Sequence, residues 1–221
     1  AQLFQHSMAA YPDLPDPETS TFLAEQREIM NKYQVDQPGV HELLQELRSL
    51  IDEYDGDRVL VGEIDDIAYY GDGTNELHMV FNFPLMRTNR LTPAWIRANQ
   101  QERLGAMPAA AWPCNTLGNH DSPRVFSRDG DGEHNDQIAR LSLALMLTLK
   151  GTPFLYNGEE IGMSDFMLPS IEQFRDNLGI WVYRELTENF GAPAEIAFKV
   201  VQTITRDKCR TPMQWANAPN G

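Results

Sequence analysis

"AWPCNTLGNHD" (residues 111–121) sets the frame for the rest of the chain. Up to Leu117 the run is apolar enough for a buried strand. Asn119, His120 and Asp121 then stand side by side before Ser122-Pro123 turns the chain. A strand buried on both faces reads as a continuous apolar run, whereas a half-exposed one alternates. Downstream, "NDQIARLSLALMLTLKG" (135–151) reads as a helix that Gly151 is placed to end, and "TPFLYNGEEIGM" (152–163) as the next strand. Upstream the same order recurs. "VHELLQELRSLIDEY" (40–54) has apolar residues at Val40, Leu43, Leu44, Leu47, Leu50 and Ile51, the spacing of an amphipathic helix. "DGD" ends it, and "RVLVGEI" (58–64) follows as a short apolar strand. After the turn "YYGDGTN" comes the strand "ELHMVFNF" (76–83). "TPAWIRANQQERLG" (92–105) reads as a helix with Thr92 as N-cap and Pro93 in its first turn. Strands that alternate with helices in this way imply βα units around a parallel sheet. Residues 1–35 read as loop, and the segment after Met163 as an extended βα excursion with short helices.

The formal net charge of −14 over 221 residues argues against a nucleic acid or an anionic membrane surface as partner, since both need positive patches. It suits a neutral, polar ligand. The two cysteines, Cys114 and Cys209, lie far apart and lack zinc-ligand spacing, so two free thiols are expected. The longest apolar stretch, residues 138–149, is too short and too polar to span a bilayer. No secretory signal is visible, an absence of little weight in a chain that starts at alanine, and the cytoplasm is the favoured location. The chain begins at an alanine and ends in "ANAPNG", so it reads as an internal piece of something longer.

Polar or ionisable residues recur where the apolar runs end. Glu63 follows "RVLVG", Asn82 sits in "VFNF", Asn119, His120 and Asp121 follow "TLG", and Glu159-Glu160 follow "FLYNG". Any one alone is explained by loop solvation or a helix cap. Four in a row point to a site, because the carboxyl ends of parallel strands face one way and ligands bind there. Glu63 and Asp121 facing one cleft have the makings of glycoside cleavage. One carboxyl donates a proton to the leaving oxygen, and another stays ionised against the positive charge that develops at the anomeric carbon. Phosphate-binding aldolase or isomerase barrels also carry acids at strand ends, usually with a lysine and a glycine-rich phosphate loop. Neither is evident here.

"RVLVGEI" and "TLGNHDSPRV" resemble two signature regions of glycoside hydrolase family 13, the α-amylase superfamily. "GTPFLYNGEEIGM" resembles its eighth-strand region. "AYYG…LHMVFNF" and the "RTPMQW" within "RDKCRTPMQWANAPNG" resemble its α-glucosidase and oligo-1,6-glucosidase branch. The resemblance implies an α/β fold: the C-terminal half, strands five to eight (β5–β8), of an incomplete TIM (β/α)8 barrel over residues 1–163. An extended segment after the eighth strand would fill 164–221. It also implies roles. Glu63 matches the general acid/base of a retaining mechanism, Asp121 the carboxylate that stabilises the transition state, His120 a hydroxyl-binding residue and Arg210 a substrate contact. Asn119 is expected to shape the turn, and Glu159 and Glu160 to be structural. The implied substrate is a short oligosaccharide or disaccharide with terminal α-linked glucose, and no cofactor or metal is expected.

The family's nucleophile is an aspartate two residues after an arginine, at the end of the fourth barrel strand. No Arg-x-Asp occurs anywhere in the 221 residues. "SRDGDG" and "TRDKC" put Arg directly beside Asp, so the isolated chain is expected to be inactive. "DDIAYYG" after Glu63 is also shorter than in many relatives. A transglucosylase or a sucrose or trehalose isomerase would share every motif seen here. A non-catalytic, transporter-associated ectodomain is a further alternative, opposed by the presence of Glu63 and Asp121.

Overall fold

Four short strands pair in sequence order, all parallel, in a computed structural model that describes residues 39–88 and 90–218. They are β1 (Val61–Gly62), β2 (Met79–Asn82), β3 (Cys114–Thr116) and β4 (Thr152–Phe154). The register pairs Val61 with Met79, Phe81 with Cys114, Asn82 with Asn115, and Cys114 with Thr152. Each strand lies inside one of the apolar runs expected from the sequence. The loop expected over residues 1–35 lies outside the described residues.

Helices separate the strands: α1 (Val40–Asp52) precedes β1, α2 (Pro84–Arg87) and α3 (Pro93–Ala106) follow β2, and α4 (Val125–Asp129) and α5 (Asn135–Thr148) follow β3. At the start of α3, the Trp95 N–H bonds to Thr92 Oγ1 at 3.2 Å, and Pro93 takes the first turn as expected. The short α2 and α4 went unforeseen, because four or five residues carry too little periodicity to register. Helix α5 stops at Thr148 rather than at Gly151. Gly151 serves β4 instead. Its φ is +123°, and a Cβ there would stand 2.4 Å from the Pro113 carbonyl, which accepts the Thr152 N–H at 2.9 Å. Glycine is needed where two backbones approach this closely.

The described residues divide into two compact units, one of residues 39–164 with 213–218 and one of 165–212. In the first, Tyr69, Tyr70, Leu77 and Val80 form one buried cluster against Leu44, Leu60 and Ile64, and Leu85, Leu117, Val125 and Met146 form another. No residue of α1 is fully buried, and Leu43, Leu47 and Leu50 are exposed. The second unit corrects an expectation: its described residues hold no strand. Helices α6 (Asn177–Arg184) and α7 (Ala194–Ile204) pack Phe174, Val182, Leu186, Val200 and Val201 into a separate core. Both cysteines are buried and neither forms a disulfide among the described residues, and burial pushes the Cys114 thiol up to about 12, so it is inert at neutral pH.

Helix α1 is tied to the β1–β2 connection through one buried carboxylate. Glu76 receives His41 Nδ1 at 2.9 Å and Gln45 Nε2 at 3.1 Å, while Arg48 bonds its carbonyl at 3.2 Å. His41 also stacks on Tyr69. The bond to Glu76 raises the His41 pKa above its usual 6.5, despite the opposing pull of burial. A histidine whose folded pKa is raised contributes stability below its unfolded pKa and loses it as pH rises through the folded value. His41 is nearly half exposed, so the effect is about 1 kcal/mol or less. The Tm difference between wild type and His41→Gln should therefore be largest below the ordinary histidine pKa of 6.5 and shrink as pH rises past it. A difference that grows with pH in thermal melts would rule this linkage out.

Candidate active site

Glu63 follows β1 by one residue, and His120 and Asp121 follow β3. Parallel strands deliver both ends to the same side, and the side chains meet there. His120 Nε2 lies 3.5 Å from Asp121 Oδ1 and 3.9 Å from Glu63 Oε1. One donor atom from each of the three falls within 4.8 Å of the others, close enough for a cation or a pair of sugar hydroxyls to bridge them. All three are exposed, so water reaches them directly.

The backbone around this trio is held from behind. Arg103 of α3 donates to the Asp65 carbonyl and to the Phe81 carbonyl, both at 2.9 Å, and so ties the segment after Glu63 to β2. Arg87 pairs with Asp65 at 2.7 Å. On the other side, Asn119 Oδ1 accepts the Asp121 N–H at 2.9 Å, the turn-shaping part expected for it. Arg128 of α4 donates to the Leu117 carbonyl and is itself gripped by Asp129 through two bonds of 2.8 Å. Buried Arg124 donates to the Asn157 carbonyl at 2.8 Å and lies over the Tyr156 ring. It thus joins the turn after β3 to the segment after β4. Sequence reasoning missed Arg103, Arg124 and Arg128, because an arginine that bonds backbone carbonyls has no periodicity of its own.

One expectation about the rim needs correcting. Asn82 does not belong to it. The residue is 2% exposed and exchanges amide hydrogen bonds with Asn99 of α3, and donates to Asn115 of β3 at 3.1 Å. It fixes the register of β2 and β3 against a helix. Glu159 is likewise buried, while Glu160 is exposed and caps its own turn by accepting the Gly158 N–H at 2.8 Å. Arg210 is exposed and belongs to the 165–212 unit. The chain leading to Arg210 is firmly held. Arg206 grips buried Asp176 through three bonds, and Asp207 accepts the N–H groups of Arg175 and Asp176. Burial alone would raise the Asp176 pKa, but the Arg206 bonds outweigh it and hold the carboxyl below its usual range.

The catalytic domain of alpha-amylase matches residues 4–221. The chain belongs to the α-amylase family, glycoside hydrolase family 13. It is 32% identical to an oligo-1,6-glucosidase of Parageobacillus thermoglucosidasius, over 95% of this chain and 40% of that protein. It is 30% identical to a trehalose-6-phosphate hydrolase of Escherichia coli, over 86% and 37% respectively. Among solved structures, the trehalulose synthase MutB of Pseudomonas mesoacidophila superposes with a TM-score of 0.70 at 30% identity, over 84% of this chain and 36% of that one. The chain thus spans about two fifths of the length of these relatives. The family assignment agrees with the resemblance read from the sequence, as does the parallel α/β architecture. Among the described residues, no helix is long and apolar enough to cross a membrane.

Proposed function

We propose that this chain supplies part of the active site of a retaining α-glucosidase, acting on terminal α-linked glucose in short oligosaccharides or disaccharides. The convergence of Glu63, His120 and Asp121 within 4.8 Å at the ends of β1 and β3 carries this reading. Glu63 is the general acid and then the general base. Asp121 stays ionised and opposes the charge of an oxocarbenium-like transition state, while His120 bonds a sugar hydroxyl beside it. Arg210 is the substrate contact of the 165–212 unit. In this reading the four strands are the fifth to eighth of a TIM barrel (β5–β8), within a domain part of residues 1–163, and 164–221 is the segment after the eighth strand. The nucleophile lies elsewhere in the full-length protein.

The test compares two proteins on 4-nitrophenyl α-D-glucoside. The full-length protein should hydrolyse it and the isolated 221-residue chain should not, for want of the Arg-x-Asp nucleophile. Turnover by the isolated chain would overturn this division of the site. Relatives that are named as isomer-forming synthases keep a second reading open, transglucosylation or sucrose isomerisation. Product analysis on sucrose and maltose separates the two, since hydrolysis releases free glucose and isomerisation a new disaccharide. A full-length protein inert on all three sugars would instead point to the non-catalytic ectodomain reading.

A further inference from the structure

A buried carboxyl lies directly against the turn that carries His120 and Asp121. Glu159 opens the 3-10 turn Glu159–Ile161 after β4 and is 8% exposed. Its Oε2 accepts the Tyr156 N–H at 3.0 Å, whereas its Oε1 is buried without a hydrogen-bond partner. A Cβ built on Gly118 would stand 2.2 Å from that Oε1. The carboxyl therefore occupies the place that a side chain at position 118 would take. Gly118 does not have a positive φ, so the contact requires glycine there and the backbone angle does not. Beside Glu159 is a cavity of about 10 Å³, lined by Leu117, Val125, Ser142, Met146 and Met163 among others. That is room for about one water molecule.

An unpartnered carboxylate oxygen in such a place is expensive, and a protonated one is not, because a hydroxyl can donate into the cavity. Burial pushes the Glu159 carboxyl up to about 7, against the pull of the Tyr156 N–H and of Arg128 and Arg124, with Glu160 adding to the rise. Arg128 is already engaged by Asp129, and α5 brings only Ser142 and apolar side chains to the cavity.

We propose that Glu159 is a positioning residue, which acts through Gly118 to set the turn that presents His120 and Asp121, held in place by its neutral form and displaced by its ionised form. The consequence for catalysis rests on the glucosidase reading above; the coupling to the turn does not. The test follows both in the full-length protein. The backbone amide signals of Gly118, His120 and Asp121, read by NMR, should move together with a midpoint near 7, and Glu159→Gln should abolish that step. The pH profile of kcat/KM on 4-nitrophenyl α-D-glucoside should contain an inflection near the same midpoint that Glu159→Gln removes. Amides that stay still, or that move alike in the variant, overturn the proposal. So does a kcat/KM profile that the substitution leaves unchanged. A protein without glucosidase activity defeats the proposed function, while the amide titration still decides the inference. Should Glu159→Gln fail to fold, a volume swap replaces it. Gly118→Ala alone should lower kcat/KM about 10-fold or more, and adding Glu159→Ala should recover most of that loss, as expected of two residues that share one space. Additive losses would overturn the contact.

Discussion

Glu63→Gln in the full-length protein should lower kcat/KM on maltose or isomaltose by about three to four orders of magnitude, the upper range for loss of a general acid–base group. Glutamine keeps the shape of the side chain but cannot give a proton to the departing sugar oxygen. An alkoxide leaving group needs that proton, and a nitrophenolate hardly does. Loss on 4-nitrophenyl α-D-glucoside should therefore be smaller by about 10-fold or more in the glycosylation step. The fold is not at risk. Glu63 is more than half exposed, and the hydrogen bonds that hold its segment go to the Asp65 carbonyl and side chain rather than to Glu63. Substitutions at such exposed positions change stability by about 0.5 kcal/mol or less. Steady-state kinetics on the two substrates, with a thermal melt as control, give the answer. Equal loss on both would remove the acid role from Glu63.

Much of the strand–helix order was legible because its elements obey different periods. The runs around Leu60, Val80, Leu117 and Phe154 are continuous and apolar, the pattern of parallel strands, although only β2 and β3 are largely buried while Val59, Val61 and Leu155 are exposed; residues 40–52 and 93–106 follow the helical spacing. The trio was legible for a related reason. Polar groups at the ends of parallel strands share a side, so Glu63 and Asp121 meet although 58 positions separate them. The same rule misled at Asn82. That residue lies within its strand, and a strand alternates faces, so its amide turned to Asn99 on α3. Sequence spacing does not reveal which side of the strand an amide takes. Nor does it reveal that Glu159 is buried while Glu160 beside it is exposed, a difference set by the close approach of Gly118. The segment after Met163 was misjudged because α6 and α7 bury a core of their own, whereas mixed composition with short apolar runs leaves helix and strand undistinguished.

Asp121→Asn should give a different signature from Glu63→Gln, and the contrast separates the two carboxylates. Asp121 is assigned to the sugar that becomes cationic rather than to the leaving group. Its negative charge matters most in the transition state, so kcat should fall by about two to three orders of magnitude. The fall should be nearly equal on maltose and on the nitrophenyl glucoside when glycosylation limits both, because both reactions build the same charge on the same ring. The turn should survive, since Asn119 Oδ1 bonds the backbone N–H of residue 121 and not its side chain. Folding is thus expected to match wild type within about 2 °C in Tm. Kinetics on both sugars, with the amide positions of residues 118–121 as the structural control, decide the matter. If the loss falls mainly on maltose, Asp121 is acting on the leaving group, and the roles of Asp121 and Glu63 exchange.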